Sequence, residues 1–480
     1  MDLTKELSPF FDETRKRFIE LSDEIWRYAE LRYEEWDSAR HHRELLEDEG
    51  FRITPHLAGM PTAFHAEAGE GGPVIAILGE FDALPGMSQQ AGALSCIAAP
   101  ETGDNGHGCG HHLLGAGAHW AAVAVKRYLA RHGLPGRVRF YGCPAEEGGS
   151  GKTFMAKAGA FDGVDAALSW HPDYETGVVT TVTLANLQVL FRFNGVAAHA
   201  ALAPHLGRSA LDAVELMNVG VNYLREHMPG DARVHYAITD SGGASPNVVQ
   251  AQAAVLYLIR SPSNETTRRL YERVCDVARG AALMTGCRVD IEFDKACSNL
   301  VFNRVLADAM HGSLTRIGEP RFDQHEIDAA RALQQTFLAD ERQALRTEAG
   351  MEEVPAIGPL LAYCPESTRQ SFASSDVGDV SWIVPTAQCV TACYAYGTAF
   401  HSWQMVAQGK SALAHKGLEL AAKVLAMTAI DLLSNPQRLN DAKAELIAKG
   451  GGPAYRSPIP DGVSPQLKPS PDSPHGHRTA

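Results

Sequence analysis

The chain has 480 residues, 45% of them hydrophobic and 21% charged, and a formal net charge of −14. That length holds two or three domains with sizeable cores, and the acidic balance argues against nucleic acid or an anionic membrane surface as a partner. The nine cysteines are odd in number and irregular in spacing, so they make no disulfide framework, and no run approaches the roughly 18 apolar residues of a membrane span. The opening MDLTKELSPFFDETRKRFIELSDEIW is charged and amphipathic and lacks the apolar stretch of a secretory signal. The expected location is a reducing cytoplasm.

In chain order, residues 8–48 read as one or two amphipathic helices. PVIAILGEFDALP (73–85) is a buried strand running into a loop, and HLLGAGAHWAAVAVKRYLA (112–130) is a helix rich in small residues. RVRFYGCPAEE (137–147) and DAALSWHP (165–172) are further strands. This alternation predicts an α/β layer on a mixed, largely parallel sheet.

The texture changes near residue 184. TLANLQVLFRFNG (183–195) predicts a half-exposed strand, followed by a helix at 208–227, strands at 233–240 and 247–261, a helix at 265–284 and a strand at 288–296. That β-α-β-β-α-β order is a ferredoxin-like unit. It divides the chain into a first catalytic part (1–183), an inserted domain (184–298), a second catalytic part (299–450) and an irregular tail (451–480). The second part is expected to be helical, with a late strand at 386–400 and a long Ala/Leu helix at 409–434.

In open α/β sheets, sites collect at the carboxyl ends of the strands. Four predicted strands end in candidate groups: Glu80 and Asp82, Glu146 and Glu147, His171, and His401. HGCGHH (107–112) opens a helix and adds Cys109, His111 and His112. Thiolate, imidazole and carboxylate together suit zinc or another first-row divalent ion. The helix start is expected to favour the Cys109 thiolate. Adjacent Glu146 and Glu147 point in different directions on extended chain, so one can coordinate while the other faces substrate. A Cys109–His catalytic pair is the competing reading, and it leaves the carboxylates and distant histidines idle.

CPAEEGGSGKT (143–153) also ends like a phosphate-binding loop, in Gly151-Lys152-Thr153. That loop needs a glycine at position 146, where this chain has Glu, and a carboxylate there repels phosphate.

Taken together, GEFDALPG, GHGCGHHLLGAGA, CPAEEGGSGKT, ALSWHP, FNGVAAHAA, SPNVVQ and GTAFHSW resemble the metal-dependent aminoacylase and carboxypeptidase G superfamily of metallopeptidases. Within it, they are similar to the amidohydrolases of the p-aminobenzoyl-glutamate hydrolase type. The resemblance runs from about residue 10 to about residue 460. It implies a dinuclear-metal catalytic domain interrupted by a dimerisation or lid domain, holding two divalent ions, zinc or manganese. Cys109 would bridge the two ions, with His111, Glu147, His171 and His401 as the remaining ligands. Glu146 would be the general base and Asp82 a carboxylate orienting a ligand. His199 would reach into a partner subunit's site to stabilise the oxyanion, and Asn247 and Arg260 would hold the substrate's free carboxylate. Many relatives carry His at the position of Glu80 and Asp at that of His112, so neither residue receives a role.

The activity so implied is hydrolysis of the amide bond of N-acyl amino acids to a carboxylic acid and a free amino acid, with an acidic leaving residue expected. A homodimer is the expected assembly, with a heteromer of related subunits as the alternative. The rival functions are a dipeptidase on the same scaffold and a non-catalytic partner subunit.

Overall fold

The structure, a computed structural model, describes residues 3–366 and 370–468. In chain order its strands are β1 (Arg52–Pro55), β2 (Phe64–Glu70), β3 (Val74–Glu80), β4 (Gly136–Cys143), β5 (Ala166–Asp173), β6 (Gly177–Val178), β7 (Ala185–Asn194), β8 (Arg233–Asp240), β9 (Gln252–Ser261), β10 (Arg288–Cys297) and β11 (Thr386–Ala392). Seven of them form one sheet in the order β1-β2-β4-β3-β5-β11-β6. Its four central strands β4, β3, β5 and β11 pair in parallel, and the outer ones join by antiparallel pairings.

Strand β3, VIAILGE, is buried at every residue. A strand covered on both faces needs apolar side chains throughout rather than in alternation. Ile75 and Ile77 join a core with the helices Leu3–Tyr28, His111–His132 and Ala412–Ser434. Val74, Ala76 and Leu78 join a second core with Phe154 and Met155 of the helix Gly151–Lys157 and with Val377 and Val380 of the helix Val377–Ile383. The small residues of His111–His132 let it lie close to the sheet: a Cβ at Gly117 would come within 2.8 Å of the Trp170 ring. Its Leu113, Leu114 and Val123 are fully buried, each contributing roughly 1.5–3 kcal/mol.

The remaining four strands form an antiparallel sheet, β10-β7-β9-β8. The helices Ala210–Leu224 and Asn264–Thr285 pack on it, each opened by a serine, Ser209 or Ser263, whose hydroxyl accepts from a backbone amide of the first turn. Element for element this is the β-α-β-β-α-β order expected from the sequence. The chain enters the unit beside Leu184, whose amide donates to Ala373 O (2.9 Å). It leaves at Ser298, whose amide and hydroxyl donate to the buried Asp379 carboxylate at 2.9 and 2.5 Å.

Several strands are shorter than expected, among them the one foreseen at 137–147, which stops at Cys143 because Pro144 has no amide to continue the ladder. The strand foreseen at 247–261 begins at Gln252, because Asn247 O accepts from Ala200 and the Val249 amide donates to Ala198 O, committing that backbone to the loop around His199. The strand foreseen at 386–400 stops at Ala392, since the Ala395 amide turns to the Gln408 side chain and the Tyr396 amide to Ala356 O. The first part of the tail is packed rather than free: Ile459 is buried and Tyr455 Oη donates to Asp379. The closing HGHRTA lies outside the described residues. Among the described residues no helix is long and apolar enough to cross a membrane.

The first core contains two fully buried histidines, His42 and His119, with Nδ1 atoms 3.0 Å apart and the rings of Phe18 and Phe140 against them. Burial lowers both pKa values, His42 to about 3, with a further contribution from His41 at His42 and from His42 at His119. A histidine held neutral in the fold stabilises it fully above the unfolded value of about 6.5 and loses that contribution as pH falls below it, by up to about 1.4 kcal/mol per pH unit for each ring. The melting temperature is therefore expected to drop between pH 7 and pH 5, less steeply in a H42L/H119L variant. Parallel pH profiles for the two proteins would place the acid sensitivity elsewhere.

Candidate metal centre

The carboxyl ends of β3, β4 and β5 and the loop after β11 converge on one cleft of about 520 Å³, the size of a small-molecule site. Cys109, Glu146, Glu147, His171, His401 and Arg260 line it. His111 and Asp82 are buried behind that lining.

Each group is positioned by local backbone. Gly110, at φ 77°, starts the helix His111–His132, and a Cβ there would stand 2.1 Å from Tyr394 Oη. Glycine is thus required on both conformational and steric grounds. His401 also has a left-handed backbone (φ 56°), and its amide donates to Gly108 O at 2.8 Å, tying its loop to the one that carries Cys109. The glutamate loop begins at Ala145, at φ 60°, whose amide donates to Glu35 Oε1 (2.8 Å). Glu35 is fully buried and also accepts from Thr62 Oγ1 at 2.9 Å.

Among the described residues, three sets of donor atoms lie within 4.8 Å of one another: Cys109 with His111 and His171, Cys109 with Glu147 and His401, and Glu80 with His111 and Glu146. The first two share the Cys109 sulfur. Asp82 holds the cluster from behind. Its Oδ1 lies 2.9 Å from His111 Nδ1, and its Oδ2 accepts from the Glu147 amide at 2.8 Å. His171 Nδ1 is 2.8 Å from Pro172 O, which fixes the proton on that nitrogen and leaves Nε2, 3.5 Å from Cys109 Sγ, as an acceptor.

The electrostatics fit a cation at this place. Burial and then Glu147 push the Cys109 thiol well above its ordinary range. The helix start expected to favour the thiolate is therefore outweighed by desolvation, and the thiolate needs a cation beside it. Among the described residues Glu147 Oε1 is buried without a hydrogen-bond partner, although buried polar atoms are nearly always paired, and His111 Nε2 faces the Glu80 carboxylate at 3.3 Å. Burial opposes the charge of Glu147, but His401, His111 and Cys109 outweigh it and hold the carboxyl at about 2. Burial, with Glu80 and then Glu147 nearby, raises Glu146 to about 7. Burial and His111 lower His171 to about 4, so it is a neutral donor. At His111 burial is outweighed by Cys109 and Asp82, which raise it instead, and Glu147 raises His401, so these two rings must give up a proton to coordinate. Imidazoles, a carboxylate and a sulfur are a donor set for zinc-like ions.

The structure does not bring every candidate to the cleft. His199 and Asn247 are exposed on the inserted domain and are absent from the cleft lining, with His199 Nδ1 accepting from the amides of Ala201 and Leu202. His112 turns away from the cleft and pairs with Gly409 O at 2.9 Å. Residues missed from sequence are equally plain. Lys152, of the phosphate-loop look-alike, is fully buried, with Nζ 2.7 Å from Glu80 and 2.5 Å from Asp376. The signal available was a lysine among apolar neighbours in a short helix. Glu35 offered no comparable signal.

The chain belongs to peptidase family M20/M25/M40, whose model matches residues 76–340. It is thus a hydrolase. It is 48% identical over 478 residues to one of the subunits of the p-aminobenzoyl-glutamate hydrolase of Escherichia coli (strain K12), covering 96% of this chain and 99% of that one. It is 29% identical over 463 residues to the Xaa-Arg dipeptidase of Mus musculus, covering 93% of each. Among solved structures, a dinuclear metal-binding peptidase of the M20 family from Bacillus subtilis shares the fold, with a TM-score of 0.55 and 20% identity over 88% of this chain and 99% of that one.

Replacing Asp82 with Ala frees the His111 ring and the Glu147 backbone together. The expected result is a 10- to 100-fold loss of metal affinity, measured by competition with a chelating dye. Unchanged affinity would remove Asp82 from the support of the site.

Proposed function

We propose that the chain is a dinuclear metal-dependent amidohydrolase acting on N-acyl amino acids, with aroyl and acyl conjugates of acidic amino acids, such as p-aminobenzoyl-glutamate, as its substrate class. The observation that carries this reading is the pair of donor sets sharing Cys109, with the further carboxylate of Glu146 in the same cleft. The identity of 48% to a p-aminobenzoyl-glutamate hydrolase subunit, across nearly all of both chains, supports the substrate class.

In this reading Cys109, His111, Glu147, His171 and His401 hold two divalent ions, zinc or manganese. Bound there, such ions would acidify water and polarise the scissile carbonyl. Glu146 takes the proton of the attacking water as its oxygen adds to the amide carbon. It then returns that proton to the leaving nitrogen as the C–N bond breaks. The products are a carboxylic acid and a free amino acid. His199 of one protomer would donate to the oxyanion in its partner, which suits its exposure on the inserted domain and makes dimerisation a condition of activity. A homodimer is the assembly proposed. Because the E. coli relative is named a subunit, a mixed oligomer is the alternative. Nine cysteines with no disulfide among them suit a reducing cytoplasm.

The test is turnover of p-aminobenzoyl-glutamate, benzoyl-aspartate and simple dipeptides by the purified chain loaded with Zn²⁺ or Mn²⁺. Cleavage of the acyl-glutamate is expected, with two metal ions per chain. Preference for dipeptides would move the assignment to a dipeptidase, and no turnover of any of them would reject the enzyme reading for the chain alone. Glu146→Ala is expected to lower kcat at least 100-fold while the bound metal stays unchanged. An active variant would remove Glu146 as the base.

A further inference from the structure

One wall of the cleft is the inserted antiparallel sheet. In its register Asn186 of β7 stands opposite Arg260 on β9 and Cys297 on β10, and Lys295 stands opposite Gln188, two residues along β7. Directly paired residues share a face, as do alternate residues along a strand. Arg260, Asn186 and Lys295 therefore present to the same side, and all three line the cleft together with Cys109 and Glu146. Strands lie about 4.8 Å apart, so the backbones of β9 and β10 are separated by about 10 Å across β7. Two long cationic side chains can span that gap and hold one small ligand at two points.

These groups have unused binding capacity. Lys295 is 8% exposed, and no acidic side chain pairs with it among the described residues. The neighbouring Asp294 accepts from Gln188 instead, at 2.5 Å, and Asp376 is held by Lys152. Among the described residues Arg260 makes only long contacts through Nη1, to Phe372 O (3.5 Å) and Ser374 Oγ (3.4 Å), and its buried Nε has no partner there. Asn186 is 5% exposed, and its side-chain amide carries two N–H donors from which an anion can accept. Cations kept from water without counter-charges make a site for an anion.

We propose that Lys295 is a specificity-determining residue that, with Asn186, receives the side-chain carboxylate of the leaving amino acid while Arg260 grips its α-carboxylate. The planar fork of arginine suits a carboxylate held by two hydrogen bonds, and the lysine ammonium supplies a second, point-like positive charge. The cleft then selects dicarboxylic leaving groups, glutamate or aspartate, and repels cationic ones. This deepens the amidohydrolase reading and rests on it for turnover, but its binding claim can be measured separately.

The experiment compares N-benzoyl-glutamate with N-benzoyl-glutamine, which differ by one charge at nearly equal size. Calorimetry uses the metal-loaded full chain carrying Glu146→Ala, so that neither ligand is cleaved. The glutamate conjugate is expected to bind at least tenfold tighter. Adding Lys295→Met should bring it to the level of the glutamine conjugate while changing the latter less than threefold, and Lys295→Arg should keep the preference. Arg260→Met should weaken both ligands. Equal affinities before Lys295 is changed, equal losses for both ligands on its replacement, or no binding of either would overturn the assignment. The first comparison needs no change at Lys295, so an unfolded Lys295 variant does not spare the proposal. With Glu146 restored, selective binding without hydrolysis would reject the amidohydrolase reading and leave Lys295 assigned, whereas hydrolysis without the preference would reject Lys295 alone.

Discussion

The candidate centre depends on one carboxylate. Asp82 stands just past the end of β3 and spends its two oxygens on two elements, the His111 ring at the start of a helix and the Glu147 amide beyond β4. A carboxylate is suited to this because it accepts in two directions at once, and burial makes each hydrogen bond stronger than it would be in water. The parallel sheet brings the strand ends to the same edge. Asp82 then sets the distance between a histidine and a glutamate that come from separate loops.

Around it lies a buried polar framework that the apolar cores do not explain. Glu35 receives the Ala145 amide and the Thr62 hydroxyl. Lys152 joins Glu80 to Asp376, and Asp379 gathers Ser298, Thr153 and Tyr455. Each group loses hydration on folding, and the loss is tolerable only because its partners are in place. Ion pairs of this kind add little net stability over an apolar packing, yet they tolerate few alternative arrangements. They hold the loop bearing Glu146 and Glu147 against both the first and the second half of the catalytic part.

Much of this was legible in the sequence because it rests on short-range patterns. The continuous apolar run of β3, the Gly-rich entry to the helix at His111 and the alternation in β7 all read directly, as did the order of elements in the inserted unit. The side chains at strand ends followed from the general rule for parallel sheets. What escaped depends on partners far away in the chain. Lys152 stood out only as part of a phosphate-loop look-alike because Asp376, 224 residues later, cannot be paired with it by inspection. Lys295 read as one more strand residue, and its lack of an acidic neighbour emerges only once three strands are aligned. The ends of β9 and β11 were misplaced for a related reason, since the backbone there bonds to loops rather than to a neighbouring strand.

The position of Lys152 also bears on how the chain is made. Its ammonium is sealed between a carboxylate from the first catalytic part and one from the second, and β11, which completes the parallel core, pairs with β5. A ribosome delivers the whole inserted unit before either Asp376 or β11 exists. The inserted unit has its own sheet and two helices with which to fold as it emerges, whereas the amino-terminal segment must wait with a desolvation cost it cannot yet offset. Synthesis order and folding order are therefore expected to part company, with the segment begun first finished last.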